Sequence, residues 1–371
     1  MSRFSNLGHR LYQGEVSFDF VGRRKLWYSI SALIVLIAGI GLAFGLKLGI
    51  EFEGGSVYTL TKPGLTVSQA KAAADDILKD TSALVQSNDK GAIKIQVSAE
   101  EQLPASTFIA ELSKDLSIPA NDINAQVVGP SWGEEISKKA LLGLVIFMVL
   151  VTVYMAIAFE WRMAIAALVA LIHDLLITIG VYALVGIEVT PGTVIGFLTI
   201  LGYSLYDTVV VFDTVKENAK GITRQNKRTF SEAANAGLNQ TLVRSINTTV
   251  VALLPVAALL FIGGGLLGAG TLNDISLALF IGLAAGAYSS ICVATPLYAQ
   301  LKELQPEMKT LAKKVAARRA SDAKAEADRI AAGEPDPAQE GEGDEGAAGI
   351  VGSRNQPVSR SRTKGRPSGK H

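Results

Sequence analysis

Hydrophobic positions along the chain gather into six long runs, near residues 27–46, 140–159, 164–186, 193–214, 242–262 and 275–297. Each is roughly twenty residues long, and a helix of that length, at about 1.5 Å per residue, crosses a hydrocarbon layer of about 30 Å. The pattern predicts a polytopic α-helical membrane protein with six transmembrane helices. The first run follows Arg23-Arg24-Lys25, as a secretory signal would. Its apolar stretch exceeds the usual signal core of about 7–15 residues and no A-x-A-like site ends it, so it reads as a retained anchor.

Between the first two runs the pattern changes. Ile50–Leu60 (IEFEGGSVYTL) alternates around Gly54 and Gly55 and predicts a strand. Thr66-x-x-Gln69 fits a capping box ahead of a helix-favouring stretch. Strands are predicted at Leu84–Ser87 and Ala92–Ser98, a second helix from Pro104 to Leu116, and a last strand at Ile123–Val128. The order β-α-β-β-α-β predicts a small α+β ferredoxin-like domain. The glycine pair fits a bulge or a close backbone approach better than a phosphate site.

Composition agrees with this reading: 49% of the chain is hydrophobic and only 19% charged, too apolar for an ordinary soluble protein. The loops near 187–192 and 263–274 contain no Lys or Arg, whereas 215–241 carries Lys216, Lys220, Arg224, Lys227 and Arg228. The positive-inside rule then places that loop and both termini in the cytoplasm, and the α+β domain outside. The expected organisation is a cytoplasmic segment over 1–26, helix 1 over 27–46 and an extracytoplasmic domain over 47–138. A five-helix bundle over 139–300 follows, then a largely disordered charged tail over 301–371. Within the loop, Thr229–Thr241 reads as an amphipathic helix on the cytoplasmic surface. Gly333–Gly349 is acidic and rich in Pro and Gly, and Ser359–His371 is basic; both read as disordered.

The chemistry is concentrated in the apolar runs. Asp207 is the one carboxylate between Thr193 and Phe212. An acid at that depth costs about 2.5–3.5 kcal/mol on insertion scales, and is read by default as a proton or ion site. His173-Asp174 falls near the middle of the third run. Arg244 opens the fifth, followed by Ser245, Asn247, Thr248 and Thr249. Pairing of Asp207 with Arg244 is geometrically feasible, and a pair that separates during a cycle would couple proton affinity to conformation. A permanent ion pair that only fixes packing is the bland alternative. Gly196 and Gly202 would permit close approach of a neighbouring helix. The single cysteine, Cys292, lies in an apolar run and reads as packing; no metal-ligand spacing and no GxxxxGK[ST] string occurs.

Several motifs together resemble the bacterial SecD/SecF family, and within it the SecF members. They are GIEFEGG at 49–55, LIHD at 171–174, LTILGYSLYDTVVVFDTVKEN at 198–218, LNQTLVRS at 238–245 and LFIGLAAGAYSSICVATPL at 279–297. Thr214 and Lys216 depart from the family's usual FDRIREN, and Tyr206 stands where many members carry Asn. The resemblance covers roughly Phe18 to Leu301. It implies a six-helix half of an RND-type assembly that uses the proton-motive force with SecD to promote late steps of preprotein export. By match, Asp207 would carry the proton and Arg244 modulate it, with Asp174 and His173 in the relay. Gly54, Gly55, Gly202, Tyr203, Ser204, Asp213, Asn239 and Thr241 would be structural motif positions.

The partners implied are SecD, the SecY/SecE/SecG channel, SecA indirectly, the translocating preprotein, and a wider assembly with YajC and a YidC-type insertase. No cofactor, catalytic step or specific nucleic acid is implied. Two other readings stand beside it. A generic RND-type exporter of lipids or small molecules shares the helix count, but normally carries two six-helix repeats. An intramembrane aspartyl protease would need Asp174 and Asp207 in contact.

Overall fold

The computed structural model describes residues 17–79, 83–87, 92–98, 103–266 and 270–332. Among them six helical stretches are long and apolar enough to cross a membrane. The first is α1 (Arg24–Ala43), after which Ile50–Glu53 forms a single helical turn, α2. The α+β unit follows as β1 (Gly55–Leu60), α3 (Val67–Leu78), β2 (Leu84–Ser87), β3 (Ile93–Ser98), α4 (Ala105–Leu116) and β4 (Ile123–Val128). The chain then runs through α5 (Pro130–Ala158), α6 (Trp161–Val185), α7 (Pro191–Asn218) and α8 (Phe230–Ala258). α8 continues as a π-helical segment to Leu266. After it come α9 (Gly270–Ser289), a π-helical segment over Ser290–Ala294, α10 (Thr295–Glu303) and α11 (Pro306–Ala332).

The sheet has the order β2-β3-β1-β4 with every neighbouring pair antiparallel, the ferredoxin-like arrangement expected from the element order. Alternation puts Tyr58, Leu60, Ile93, Ile95, Val97 and Ile123 on one face, where they pack against Ala70, Ala74 and Ile77 of α3 and Phe108 and Leu112 of α4. Tyr58 and Phe108 stack with ring centroids 4.4 Å apart. The Thr66–Gln69 capping box starts α3, each residue's side chain accepting from the other's backbone N–H.

One strand begins later than the alternation suggests. Ile50 is buried at the start of α2, and the chain enters β1 only after Gly54, at φ 75° and ψ 161°, a region essentially closed to other residues. Gly55 follows at φ 140°. The two glycines turn a helical turn into a strand within two residues. Gly54→Ala is expected to cost about 1–3 kcal/mol, seen as a lower thermal midpoint of the detergent-solubilised chain; an unchanged midpoint would show that the turn relaxes at no cost.

The sheet-bearing end of the bundle is stitched to this unit. Gly49 donates to Val189 O at 2.9 Å, Val189 donates to Lys47 O at 2.8 Å, and Lys94 Nζ pairs with Glu188 at 2.9 Å. At the opposite end Asn235 and Asn239 of α8 hold the entering segment. Asn235 Oδ1 accepts from the N–H groups of Phe20 and Val21, and Asn239 Oδ1 from that of Phe18.

Within the bundle α6, α7 and α9 are the most buried, while α1, α5 and α8 leave apolar side chains such as Leu36, Val149 and Val251 on the outside. That surface suits lipid, and the chain is a multi-pass membrane protein with a small β-containing unit. Small residues set the closest crossings, as in membrane helix pairs generally. A Cβ at Gly196 would lie 2.7 Å from Ala278 Cβ, so α7 and α9 touch there as expected. Gly202 differs: a Cβ there would meet none of the described residues within 4 Å.

Two expectations are corrected. Thr229–Thr241 is not a separate surface helix; α8 runs unbroken from Phe230, started by a Thr229–Glu232 capping box. Ala233, Ala234 and Leu238 are buried against the bundle, which keeps this stretch in line with the apolar one after it. The stretch from 301 to 332, assigned to a largely disordered tail, is helical almost throughout. Met308, Leu311 and Val315 of α11 join the bundle core at helical spacing. From Ala317 onward α11 belongs to a second unit, in which Arg318 pairs with Asp322. The segments Gly333–Gly349 and Ser359–His371 lie outside the described residues.

Candidate functional site

Two carboxylates lie deep in the bundle. Asp174, midway along α6, is fully buried, and Asp207 of α7 is 5% exposed. Serine hydroxyls meet both. Asp207 accepts from Ser245 Oγ of α8, which lies 2.8 and 2.7 Å from its two oxygens, and from Ser290 Oγ in the π-helical segment after α9. Asp174 Oδ2 accepts from Ser204 Oγ of α7 at 2.6 Å and from Ser289 Oγ at 2.8 Å. Ser204 lies three residues before Asp207 on the same helix, yet its hydroxyl serves the other acid.

His173 Nδ1 lies 3.3 Å from Asp174 Oδ1. Its Nε2 is buried with no hydrogen-bond partner among the described residues, and its ring stacks on Tyr288 at 5.9 Å between centroids. Tyr288 in turn shares a hydrogen bond of 2.9 Å with Ser31 of α1.

Asp207 and Arg244 are not paired in this structure. Ser245 points at Asp207, and consecutive helix residues diverge by about 100°, so Arg244 is turned outward. It is exposed and lines an open groove of about 750 Å³ with Thr214, Glu217, Gln240, Asn247 and Thr248. The remaining motif positions are spread along the helices. Tyr203 is half-buried and Asp213 is exposed on α7. Asn239 clasps Phe18, and Thr241 donates back to the carbonyls of Gly237 and Leu238.

The structure therefore brings together Asp207, Asp174, His173 and Ser204 but leaves Arg244 apart. Ser289 and Ser290 carry no sequence signal strong enough to single them out, and Ser245 stands out only as one of the polar residues after Arg244. A serine in an apolar helix usually bonds its own backbone, so only tertiary contact reveals another use.

Asp207, met among the described residues by hydroxyls and by no cation, is satisfied in either protonation state. A hydroxyl donates to an ionised carboxylate and accepts from a neutral one. The two carboxylates share no hydrogen bond, so the contact that an aspartyl protease dyad requires is not made. Among the described residues no group of three or more His, Cys, Asp or Glu side chains is placed to hold a metal ion.

The region holding both acids and the four serines falls within residues 108–304, which match the family pattern described as protein export membrane protein SecD/SecF, C-terminal. The chain belongs to the SecD/SecF family. A second SecD/SecF pattern, the GG motif, matches residues 40–61 and contains Gly54 and Gly55. Among SecD/SecF relatives, protein translocase subunit SecF of Streptomyces coelicolor is 57% identical over the whole of both chains. The SecF of Mycobacterium tuberculosis is 40% identical, over 85% of this chain and 75% of its own. The crystal structure of SecDF from Thermus thermophilus superposes with a TM-score of 0.67 at 29% identity. That superposition covers 78% of this chain and 39% of the SecDF chain.

Proposed function

We propose that this chain is an accessory subunit of the Sec protein translocase that uses the proton-motive force, together with SecD, to promote late steps of preprotein export. Family membership supports the export role, and the SecDF superposition supports SecD as the partner that supplies the other half of the assembly. The observation that carries the proton reading is Asp207: a carboxylate inside a membrane-spanning helix, held by two hydroxyls and no cation. Such a group can take a proton from one side and release it to the other without leaving either state unsatisfied. Asp174, with His173 against it, is a second station in the same interior.

The chain would sit in the bacterial cytoplasmic membrane with both termini inside and the segment 47–138, which contains the α+β unit, outside. The basic loop 215–241 would then face the cytoplasm, in keeping with the positive-inside rule. The remaining contacts, with the SecY/SecE/SecG channel, SecA, YajC and a YidC-type insertase, would be made by the assembled complex.

Arg244, turned away from Asp207 here, would modulate the carrier in another state of the cycle. Arg244→Lys is expected to lower gradient-stimulated export severalfold, because lysine lacks the planar fork of donors; wild-type stimulation in that variant would make the guanidinium dispensable. The reading as a whole is tested by adding this chain back, with SecD, to membranes depleted of both. A proton gradient should then accelerate release of nearly completed preprotein only in the replenished membranes. Equal acceleration without the chain would defeat the proposal.

A further inference from the structure

Four hydroxyls meet the two buried acids, but they are not equivalent. Ser290 Oγ also lies 3.3 Å from its own-helix carbonyl Ala287 O, and Ser289 Oγ lies 3.2 Å from Gly286 O. Ser245 and Ser204, as placed, have their acids as their hydroxyls' hydrogen-bond partners and no own-helix carbonyl at hydrogen-bond distance. The two hydroxyls with a second acceptor are thus on consecutive residues. They sit where α9 gives way to the π-helical segment Ser290–Ala294, whose carbonyl at Ser290 accepts from Thr295 Oγ1 at 2.9 Å.

An ionised carboxylate only accepts, so both Ser245 and Ser290 donate to Asp207. Once protonated, the acid has an O–H that needs an acceptor, and the hydroxyl that supplies it must send its own proton elsewhere. Ser290 can do so from where it stands, by turning its O–H to Ala287 O; Ser245, as placed, would leave its proton unpaired unless the side chain swings to a new rotamer. We infer that Ser290 is the positioning residue that answers the protonation of Asp207, exchanging its bond to the carboxylate for one to Ala287 O. It thereby passes the acid's state to the π-helical segment and the last crossing. Ser289 repeats the geometry at Asp174. Single-turn π segments recur inside helices at functional sites, and this one begins at the responding hydroxyl.

The inference rests on Asp207 as the proton carrier. The titratable or charged side chains on the elements packed around it include Asp174 and His173 on α6, Tyr203 and Tyr206 on α7, Arg244 on α8, Tyr288 on α9 and Cys292 in the π-helical segment, with Arg162, Tyr182, Asp213, Lys216, Glu217, Glu232 and Asp274 further along the same helices. None of these offers Asp207 a hydrogen bond or an ion pair in the structure.

The test is the pH profile of gradient-stimulated export in membranes carrying the chain with SecD. Wild type is compared with Ser290→Ala, Ser290→Thr and Ser290→Cys, with assembly checked by co-purification of SecD. The bond Ser290 donates to the ionised acid is charge-assisted and stronger than the one it accepts from the neutral acid, so Ser290→Ala favours the protonated form on balance and should displace the profile to higher pH by about one unit. Ser290→Thr keeps a hydroxyl and should restore the wild-type profile. Ser290→Cys, whose thiol is a weak donor, should move it in the alanine direction, and decides the matter if the alanine variant fails to assemble. A profile that stays put in the assembled alanine or cysteine variant, or a threonine variant that behaves like alanine, overturns the inference. Asp207→Asn run alongside separates the two failures. If it abolishes stimulation while Ser290→Ala leaves the profile unmoved, the carrier reading stands and the serine's role falls. If Asp207→Asn keeps stimulation, both fall.

Discussion

Asp207→Asn is expected to reduce gradient-stimulated export to the level seen without a gradient, while leaving the chain inserted and bound to SecD. Asparagine has nearly the shape of aspartate, and its carbonyl can still accept from Ser245 and Ser290. What it lacks is the second protonation state. The site is only 5% exposed and contains no cation, so a neutral amide removes a buried charge without orphaning a partner charge. The fold should therefore survive even as the coupling disappears. The measurement is the ratio of export rates with and without an imposed gradient. A ratio of one in the variant, against a clear excess in wild type, is the predicted outcome. A ratio equal to wild type would make Asp207 a packing residue.

Gly180→Val is expected to have the largest structural effect. α1 and α6 cross where Gly180 faces Ala38, and a Cβ built on the glycine would lie 2.2 Å from Ala38 Cβ and 2.7 Å from Ala38 Cα. Both are short, stiff parts of the neighbouring helix, so no rotamer change relieves the overlap and the helices must part. A cost of about 1–3 kcal/mol, at the upper end or beyond it for a branched side chain, follows from overpacking. α1 also carries Ser31, which holds Tyr288 against His173, so the displacement should reach the acid cluster. The checks are the thermal midpoint in detergent and the amount of chain co-purifying with SecD. Ala38→Gly in the same chain should recover part of the loss. A midpoint unchanged in Gly180→Val would show that this crossing yields freely.

Much of the architecture was legible because period and length are strong signals in an apolar chain. The six runs each lie within or largely overlap a helix, since a spanning segment must satisfy its own backbone. The sheet order could not be read directly, but the β-α-β-β-α-β sequence of elements admits few right-handed arrangements, and the observed one is the commonest. Hydropathy says nothing about where a helix continues past its apolar part. The helices therefore run further than hydropathy predicts before Leu242 and after Gln300, where capping at Thr229 and burial of Met308, Leu311 and Val315 extend them.

At the candidate site the acids announced themselves by being charged in apolar surroundings. Their partners did not. The approach of Arg244 to Asp207 was a question of helix rotation, and one residue's difference in α8 puts Ser245 inward and the guanidinium outward. Ser289 and Ser290 look like ordinary helix serines until α6, α7 and α9 are packed together. Pairing in a bundle depends on tertiary rotation, which a single chain's pattern does not encode.

The central claim is that protons pass through this chain by way of Asp207. Its most direct test is proton movement itself: vesicles containing the chain with SecD, loaded with a pH-sensitive dye and given a defined pH gradient and membrane potential. The account predicts dye-reported proton entry above that of protein-free vesicles in wild type, and entry at the protein-free rate in Asp207→Asn at equal protein content. Equal proton entry in wild type and variant would contradict it.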